Sequence, residues 1–255
     1  LSSRITGSTA SIYLVDDIRY GPARLDYVES MSRHGLFISM NEACLEAHRR
    51  NYGYVLDNAV VIPLPMSTVR EERPVRKSSR VRVVTVARLV PMKGYVEGLI
   101  AAIAKAVRDG EIDIELQVIG DGPLMPRLKL SALKAGIYGR VSFVGSVPYA
   151  DLPAYYRGAD VFVGMGTTAL EAVSYRLPVI IAEAYTNQFL TPGLFSTQQG
   201  FGLGEPSKAS SSNCGAQLLM SLVKDGSLRC AEGEAGWLKL REEFSEDVVM
   251  VRLLA

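Results

Sequence analysis

A chain of 255 residues, 48% hydrophobic and 22% charged, holds enough apolar material for one large or two modest domains with a proper core. With 28 basic against 27 acidic residues the net charge is +1, which excludes a global field able to gather nucleic acid or an anionic membrane and leaves only local patches. Cys44, Cys214 and Cys230 are far apart, odd in number and without metal-ligand spacing, so neither a disulfide framework nor a zinc site is expected, and a reducing compartment fits.

From the N-terminus, the pattern predicts a strand at 11–15, a helix around 23–32, a strand at 36–40, a helix at 42–51 and a strand at 60–63. Residues 1–68 therefore read as a separate unit of two or three strands, marginal on burial grounds and resembling half of a domain. No apolar run reaches the roughly 18 residues that span a bilayer, and no basic-then-apolar leader opens the chain. A start at Leu1 rather than Met points to processing or to a fragment. The polar stretch 69–80 has no apolar period and is expected to be an interdomain linker.

Beyond the linker a β-α rhythm sets in. Strands are expected at 81–86, 115–119, 141–144, 161–163 and 179–182, separated by helical periods at 95–108, 124–134, 151–157 and 168–175. Short apolar strands alternating with amphipathic helices imply an α/β fold: a Rossmann-like parallel sheet with helices on both faces and right-handed crossovers. Residues 183–213, rich in Gly, Pro, Ser, Thr and Gln, read as an ordered irregular loop system, followed by helices at 214–224, 231–244 and 247–254.

If the sheet starts centrally, runs outward to its third strand and then crosses back, its first and fourth strands are neighbours at a switch point, where ligands bind beyond the carboxyl ends of strands. The first strand leads into Ala87-Arg88-Leu89-Val90-Pro91-Met92-Lys93-Gly94, a turn with two cations opening a helix. The fourth leads into Gly164-Met165-Gly166-Thr167-Thr168-Ala169-Leu170-Glu171, which offers glycines, hydroxyls, helix N–H groups and a carboxylate one turn inside. Diphosphate plus ribose needs that combination: cationic and N–H donors for the phosphates, and a carboxylate accepting from the sugar diol.

Plainer readings stand beside this one. Thr168-Ala169-Leu170-Glu171 also matches a capping box, in which Glu171 folds back on its own helix. Lys93 alone reads as a solvated helix-start lysine. The first turn has no G-x-G-x-x-G, which disfavours a dinucleotide-dependent dehydrogenase. Asp16-Asp17 and Glu111-Ile112-Asp113 lack further ligands and read as solvated loop or strand-edge residues rather than a metal site. His34 and His48 have no triad context. His48-Arg49-Arg50-Asn51-Tyr52 has a basic-aromatic flavour suited to a lipid headgroup, but a solvated helix end is the better reading.

As an ordered set, the segments 86–94, Val118-Ile119-Gly120-Asp121-Gly122-Pro123, 141–148, Ala159-Asp160-Val161-Phe162-Val163, Leu170-Glu171-Ala172 and Leu177-Pro178-Val179-Ile180 resemble the GT-B glycosyltransferases, specifically the retaining nucleotide-sugar enzymes of glycosyltransferase family four. The resemblance implies that Arg88 and Lys93 meet the donor diphosphate and carry catalysis, that Glu171 holds the ribose, and that Gly145, Ser146 and Val147 lie against the base. It also assigns Gly166, Thr167, Thr168, Gly120 and Asp121 to the donor side. It implies no metal and no cofactor beyond a nucleoside-diphosphate sugar as co-substrate, a UDP-sugar first among them. A glycan, lipid-linked or small-molecule acceptor is implied, with no nucleic acid, in a cytoplasmic protein that is peripheral at the membrane face if it contacts lipid at all.

On this resemblance residues 1–68 are part of the acceptor-side domain, 81–230 the donor-binding domain, and 231–255 helices that cross back toward the N-terminal part. Two departures stand out. The family usually carries a second glutamate eight positions before the ribose one, where this chain has Val163 in a shortened loop; similar short loops occur in related UDP-sugar epimerases. The first half of the acceptor domain is also missing, so the chain as given is open to being inactive, and a non-catalytic nucleotide-binding assembly module is a third reading.

Overall fold

The computed structural model describes residues 11–14, 36–53, 59–68, 80–110, 113–206 and 213–254. The chain divides into two units, one formed by residues 1–65, 199–202 and 243–255, the other by 66–198 and 203–242. The helix expected around 23–32, His34, the Asp16-Asp17 pair, Glu111-Ile112 and all of the expected linker except Arg80 lie outside the described residues.

In the first unit β1 (Ser11–Leu14), β2 (Leu36–Ser39) and β3 (Ala59–Val61) pair in parallel in that order. Helix α1 (Glu42–Tyr52) follows β2 directly, because the Asn41 side chain caps it by accepting from the Cys44 N–H at 2.8 Å, and it stops at Gly53 in the left-handed conformation. His48 is buried, its Nδ1 donating to the Cys44 carbonyl, while Arg49 and Arg50 are exposed. The histidine of that basic-aromatic segment is therefore an interior residue, contrary to its reading as part of a solvated helix end. Ile38 and Ile62 share a small core with Val249, and Phe201 meets Phe244 edge-on at 5.4 Å.

The second unit is built on β4 (Val81–Val86), β5 (Ile114–Ile119), β6 (Val141–Gly145), β7 (Val161–Gly164) and β8 (Val179–Ile181), all parallel, with β10 (Gly193–Leu194) antiparallel on β8. Across the sheet the order is β10-β8-β7-β4-β5-β6. The first and fourth strands of the unit are thus direct neighbours, Val83 opposite Val161 and Val84 opposite Phe162. Successive strand residues point to opposite faces, and both members of each pair are fully buried, so both faces of the sheet are covered. Val83, Leu116, Val118, Val161 and Ile180 join one core with Leu99, Ile100 and Ile103 of α2 (Tyr95–Arg108) and with Leu219 and Leu222 of α6 (Gly215–Lys224). On α2 the buried Tyr95 hydroxyl reaches Thr85 at 3.3 Å, and burial pushes it up to about 12. The remaining crossovers are α3 (Met125–Lys134), α4 (Leu152–Arg157) and α5 (Thr167–Ser174).

Two expectations need correction. Residues 183–213 are not wholly irregular: β9 (Leu190–Thr191) pairs with β11 (Asn213–Cys214), and β10 extends the main sheet. The helix expected at 231–244 begins earlier, as α7 (Gly226–Lys239), and ends in a π turn over Leu240–Phe244. Asp225 sets the earlier start by accepting from the N–H groups of Ser227 and Leu228. Three glycines inside α7 hide it from propensity, and one of them is required: a Cβ at Gly233 would overlap the Arg176 carbonyl. The last helix is α8 (Glu246–Leu254), in the first unit, whereas α7 belongs to the second.

Candidate functional site

At the carboxyl edge of the large sheet the connections after β4, β5 and β6 are tied together by backbone. Ala87 donates to Ile119, Leu89 donates to Asp121 at 2.9 Å, Leu124 donates back to Leu89, and Gly120 donates to Gly145 at 2.7 Å. Leu89 is fully buried, so the turn after β4 is anchored at its middle, while Arg88 beside it is exposed. Arg88 makes no side-chain hydrogen bond or ion pair among the described residues. The turn then tightens into a 3-10 helix, Pro91–Lys93, with Lys93 half-buried, and α2 begins at Tyr95. The Met92 carbonyl accepts from the Tyr185 N–H at 3.0 Å, which brings the segment after β8 onto the same turn.

Gly120 is where this arrangement demands glycine. Its φ is +118°, and a Cβ there would overlap the Ala87 carbonyl oxygen. The structure thus gives Gly120 a packing task against the Arg88 turn. Asp121, exposed, turns its carboxylate back to the Gly122 N–H at 2.7 Å. Gly145 ends β6 at the edge, Ser146 after it is exposed and Val147 half-buried.

The connection from β7 to α5 is only Met165-Gly166. Gly166 is the N-cap and no side chain caps the helix. Thr167 is exposed, and the Thr168 hydroxyl donates to the Val86 carbonyl at 3.1 Å and lies 3.2 Å from the Met165 carbonyl. One hydroxyl therefore links the end of β4 to the start of α5, and the two turns expected to meet do so. The capping-box alternative is not what forms: Thr168 lies inside the helix, and the Glu171 carboxylate turns to Tyr156, whose hydroxyl donates to Glu171 Oε2 at 2.8 Å. Charge on Glu171 holds the Tyr149 hydroxyl above its ordinary range, and burial followed by the same carboxylate does so for Tyr156.

The sequence reading missed both tyrosines. The available signal was a cluster, Tyr149, Tyr155, Tyr156 and Tyr175, flanking an acid in a chain with 8% aromatics. It also missed the segment after Gly202: Leu203 accepts from the Gly166 N–H at 2.8 Å, and Gly204 accepts from Ala184. Val163, at the position where the family's second glutamate stands, is fully buried within β7. Among the described residues no three His, Cys, Asp or Glu side chains gather where a metal ion would sit. None of the three cysteines forms a disulfide.

A parallel sheet of this order, with a switch point between β4 and β7 and a glycine-opened helix beyond β7, has the form of one Rossmann-like domain of the GT-B architecture. The family model for glycosyl transferases group 1 matches residues 69–188, which includes every parallel strand of the sheet. Through that segment the chain is similar to GT-B proteins of the glycosyltransferase family-four type. It is 31% identical over 131 residues to a GDP-mannose-dependent alpha-(1-6)-phosphatidylinositol monomannoside mannosyltransferase of Mycobacterium tuberculosis, a match covering 46% of this chain and 34% of that protein. It is 29% identical over 107 residues to the alpha-monoglucosyldiacylglycerol synthase of Streptococcus pneumoniae, covering 39% of this chain and 24% of the synthase. The matches thus span about a third of one relative and a quarter of the other. Among solved structures, Anabaena HepE in complex with UDP superposes with a TM-score of 0.74 at 17% identity, over 99% of this chain and 73% of HepE, a likeness of fold.

Proposed function

We propose that this chain carries the donor-binding machinery of a glycosyltransferase that moves a hexose from a nucleoside-diphosphate sugar to a glycan, lipid-linked or small-molecule acceptor. The observation that carries the reading is the Thr168–Val86 hydrogen bond, because it holds an exposed unpaired arginine turn and an uncapped helix start at one sheet edge. In the transfer, the bond from the anomeric carbon to the diphosphate oxygen breaks, the acceptor oxygen bonds that carbon and gives up its proton, and negative charge collects on the leaving diphosphate. Arg88, Lys93 and the N–H groups of Thr167 and Thr168 would stabilise that charge without a metal, in the manner of preorganised donors. Glu171 would accept from the ribose hydroxyls, with Gly145, Ser146 and Val147 along the base and Gly120 and Asp121 supporting the turn. Retention of configuration is supported by the family likeness alone.

The relatives' names, which pair GDP-mannose with a phosphatidylinositol acceptor and glucose with diacylglycerol, support a lipid-linked acceptor reached at a cytoplasmic membrane face. They set GDP beside UDP as the nucleotide to test. A thermal-shift screen of nucleoside diphosphates and their sugars decides the base, since a selective binder raises the melting temperature by linkage. Calorimetry then tests the site: Arg88→Ala/Lys93→Ala is expected to weaken binding of the free nucleoside diphosphate more than about a hundredfold, two charge-assisted contacts being lost. Unchanged affinity refutes the assignment.

One observation favours a second reading. Val163 is buried in β7 and the loop after it has two residues, so no carboxylate stands at the family's sugar position. That suits a nucleotide-binding assembly module or an epimerase-like enzyme. Sugar transfer by the full-length protein removes the module; turnover of the donor without any acceptor selects the epimerase.

A further inference from the structure

Glu171 sits in an aromatic clamp. Tyr156 in α4 gives its hydroxyl to Oε2 at 2.8 Å, and Tyr149, in the 3-10 turn Tyr149–Asp151 beyond β6, lies close enough for the charge on Glu171 to raise its hydroxyl above the ordinary range. The Tyr156 ring is fixed from two sides: it stacks on Tyr175 at 5.4 Å and 20°, and meets Phe162 of β7 at 5.9 Å. Arg157 lies over the Tyr175 ring at 5.4 Å and extends the stack. Both hydroxyls are held above the ordinary tyrosine range and stay protonated through the neutral range, so Tyr156 donates to the carboxylate and does not compete for donors. A carboxylate has about four acceptor sites. The Tyr156 hydroxyl occupies one of them and leaves room for the two donors of a vicinal diol. A glutamate on a helix otherwise has several rotamers, and immobilising such a side chain on binding opposes affinity.

We propose that Tyr156, with Tyr149 beside it, is a positioning residue that holds the Glu171 carboxylate ready to accept from the 2′- and 3′-hydroxyls of a ribonucleoside diphosphate, making the clamp the source of ribose selectivity. The inference rests on the ribose role given to Glu171 above, and the experiment separates the two. Titration calorimetry is run with UDP, GDP and their 2′,3′-dideoxy forms on the wild-type chain, Tyr156→Phe, Tyr149→Phe, the double phenylalanine variant and Glu171→Ala. Phenylalanine keeps the stacked ring, and Tyr149 is exposed, so neither change threatens folding. The wild type is expected to prefer the ribose form by about tenfold or more. The double variant is expected to lose most of that ratio while its affinity for the dideoxy form stays within about twofold. A merely structural role would weaken both forms alike. If the double variant keeps the full ratio and Glu171→Ala erases it, the clamp is overturned and the ribose reading stands. If Glu171→Ala keeps the ratio too, or if the wild type binds neither UDP nor GDP, the reading beneath it falls as well.

Discussion

The two edges of the large sheet handle charge in opposite ways. At the edge where the strands begin, each of four adjacent strands is entered by a charged residue, and in spatial order these are Asp160 before β7, Arg80 before β4, Asp113 before β5 and Arg140 before β6, alternating in sign. They are paired. Arg80 and Arg140 both reach Asp113 Oδ1, at 3.0 and 2.6 Å, the Asp160 carboxylate accepts from the Arg82 N–H at 2.8 Å, and the Arg82 guanidinium takes Glu115. At the edge where the strands end, the same four lead into Arg88, Gly120, Gly145 and Gly166, with one exposed unpaired guanidinium and an uncapped helix. Charges satisfied within the chain report on folding, whereas a cation without a carboxylate partner beside an uncapped helix start is the part of the edge on which the proposed function rests.

The largest expected effect tests whether the carboxyl edge is as tightly built as its backbone bonds indicate. Gly120→Ala forces a Cβ into the Ala87 carbonyl at φ +118°, which combines overpacking with backbone strain. The expected loss is about 3 kcal/mol, a fall of about 6–12 °C in melting temperature, together with weakened nucleotide binding as the Arg88 turn moves. Gly145→Ala is the control. It has φ +83° but open space around its Cβ, so only the conformational cost of about 1 kcal/mol remains. Equal losses at the two positions would mean that the close approach at Gly120 carries no weight.

A smaller effect tests the link between the two turns. Thr168→Val keeps the shape of the side chain but removes the donor that serves the Val86 carbonyl. About 1 kcal/mol of stability is expected to go, and nucleoside-diphosphate affinity should fall further than in Gly145→Ala, because the turn and the helix start lose their tie. Intact affinity with lowered stability would show that the backbone alone holds the edge.

How much of this was legible follows from the range of each interaction. The β-α rhythm and the neighbouring of β4 and β7 were readable, since alternating buried runs of four to six residues leave a period and the crossover rules leave few orders. β10 was not: two residues, Gly193 and Leu194, carry no period, and only pairing with Ile180 and Ile181 makes them a strand. Arg88, Lys93, Thr168 and Glu171 were readable as a set because they follow their strands within a few residues. The clamp on Glu171 was hidden because Tyr156 lies fifteen residues away and on another helix. Asp113, read as a solvated strand-edge carboxylate, proves to be the hub of an ion cluster, because its partners Arg80 and Arg140 are brought to it only by sheet order.

That hub supplies the smallest and cleanest contrast. Hydrogen bonds from Arg140 and then Arg80 hold the Asp113 carboxyl below the ordinary carboxylate range, with no shift of opposite sign large enough to cancel them. A carboxyl whose folded-state pKa is depressed stabilises the fold at pH values above its unfolded value, about 3.9, and that contribution drains away as pH falls through the folded value. Acid unfolding followed by circular dichroism should therefore show part of the stability of the second unit lost below about pH 4, and Asp113→Asn should flatten that portion of the curve while leaving nucleotide affinity at pH 7 unchanged. Because the group is exposed, salt should shrink the effect in the wild type and do nothing in the variant. A variant that keeps the wild-type acid profile would remove Asp113 from the stability of the entry edge. One that loses nucleotide affinity would tie the paired edge to the unpaired one and dissolve the division of labour between them.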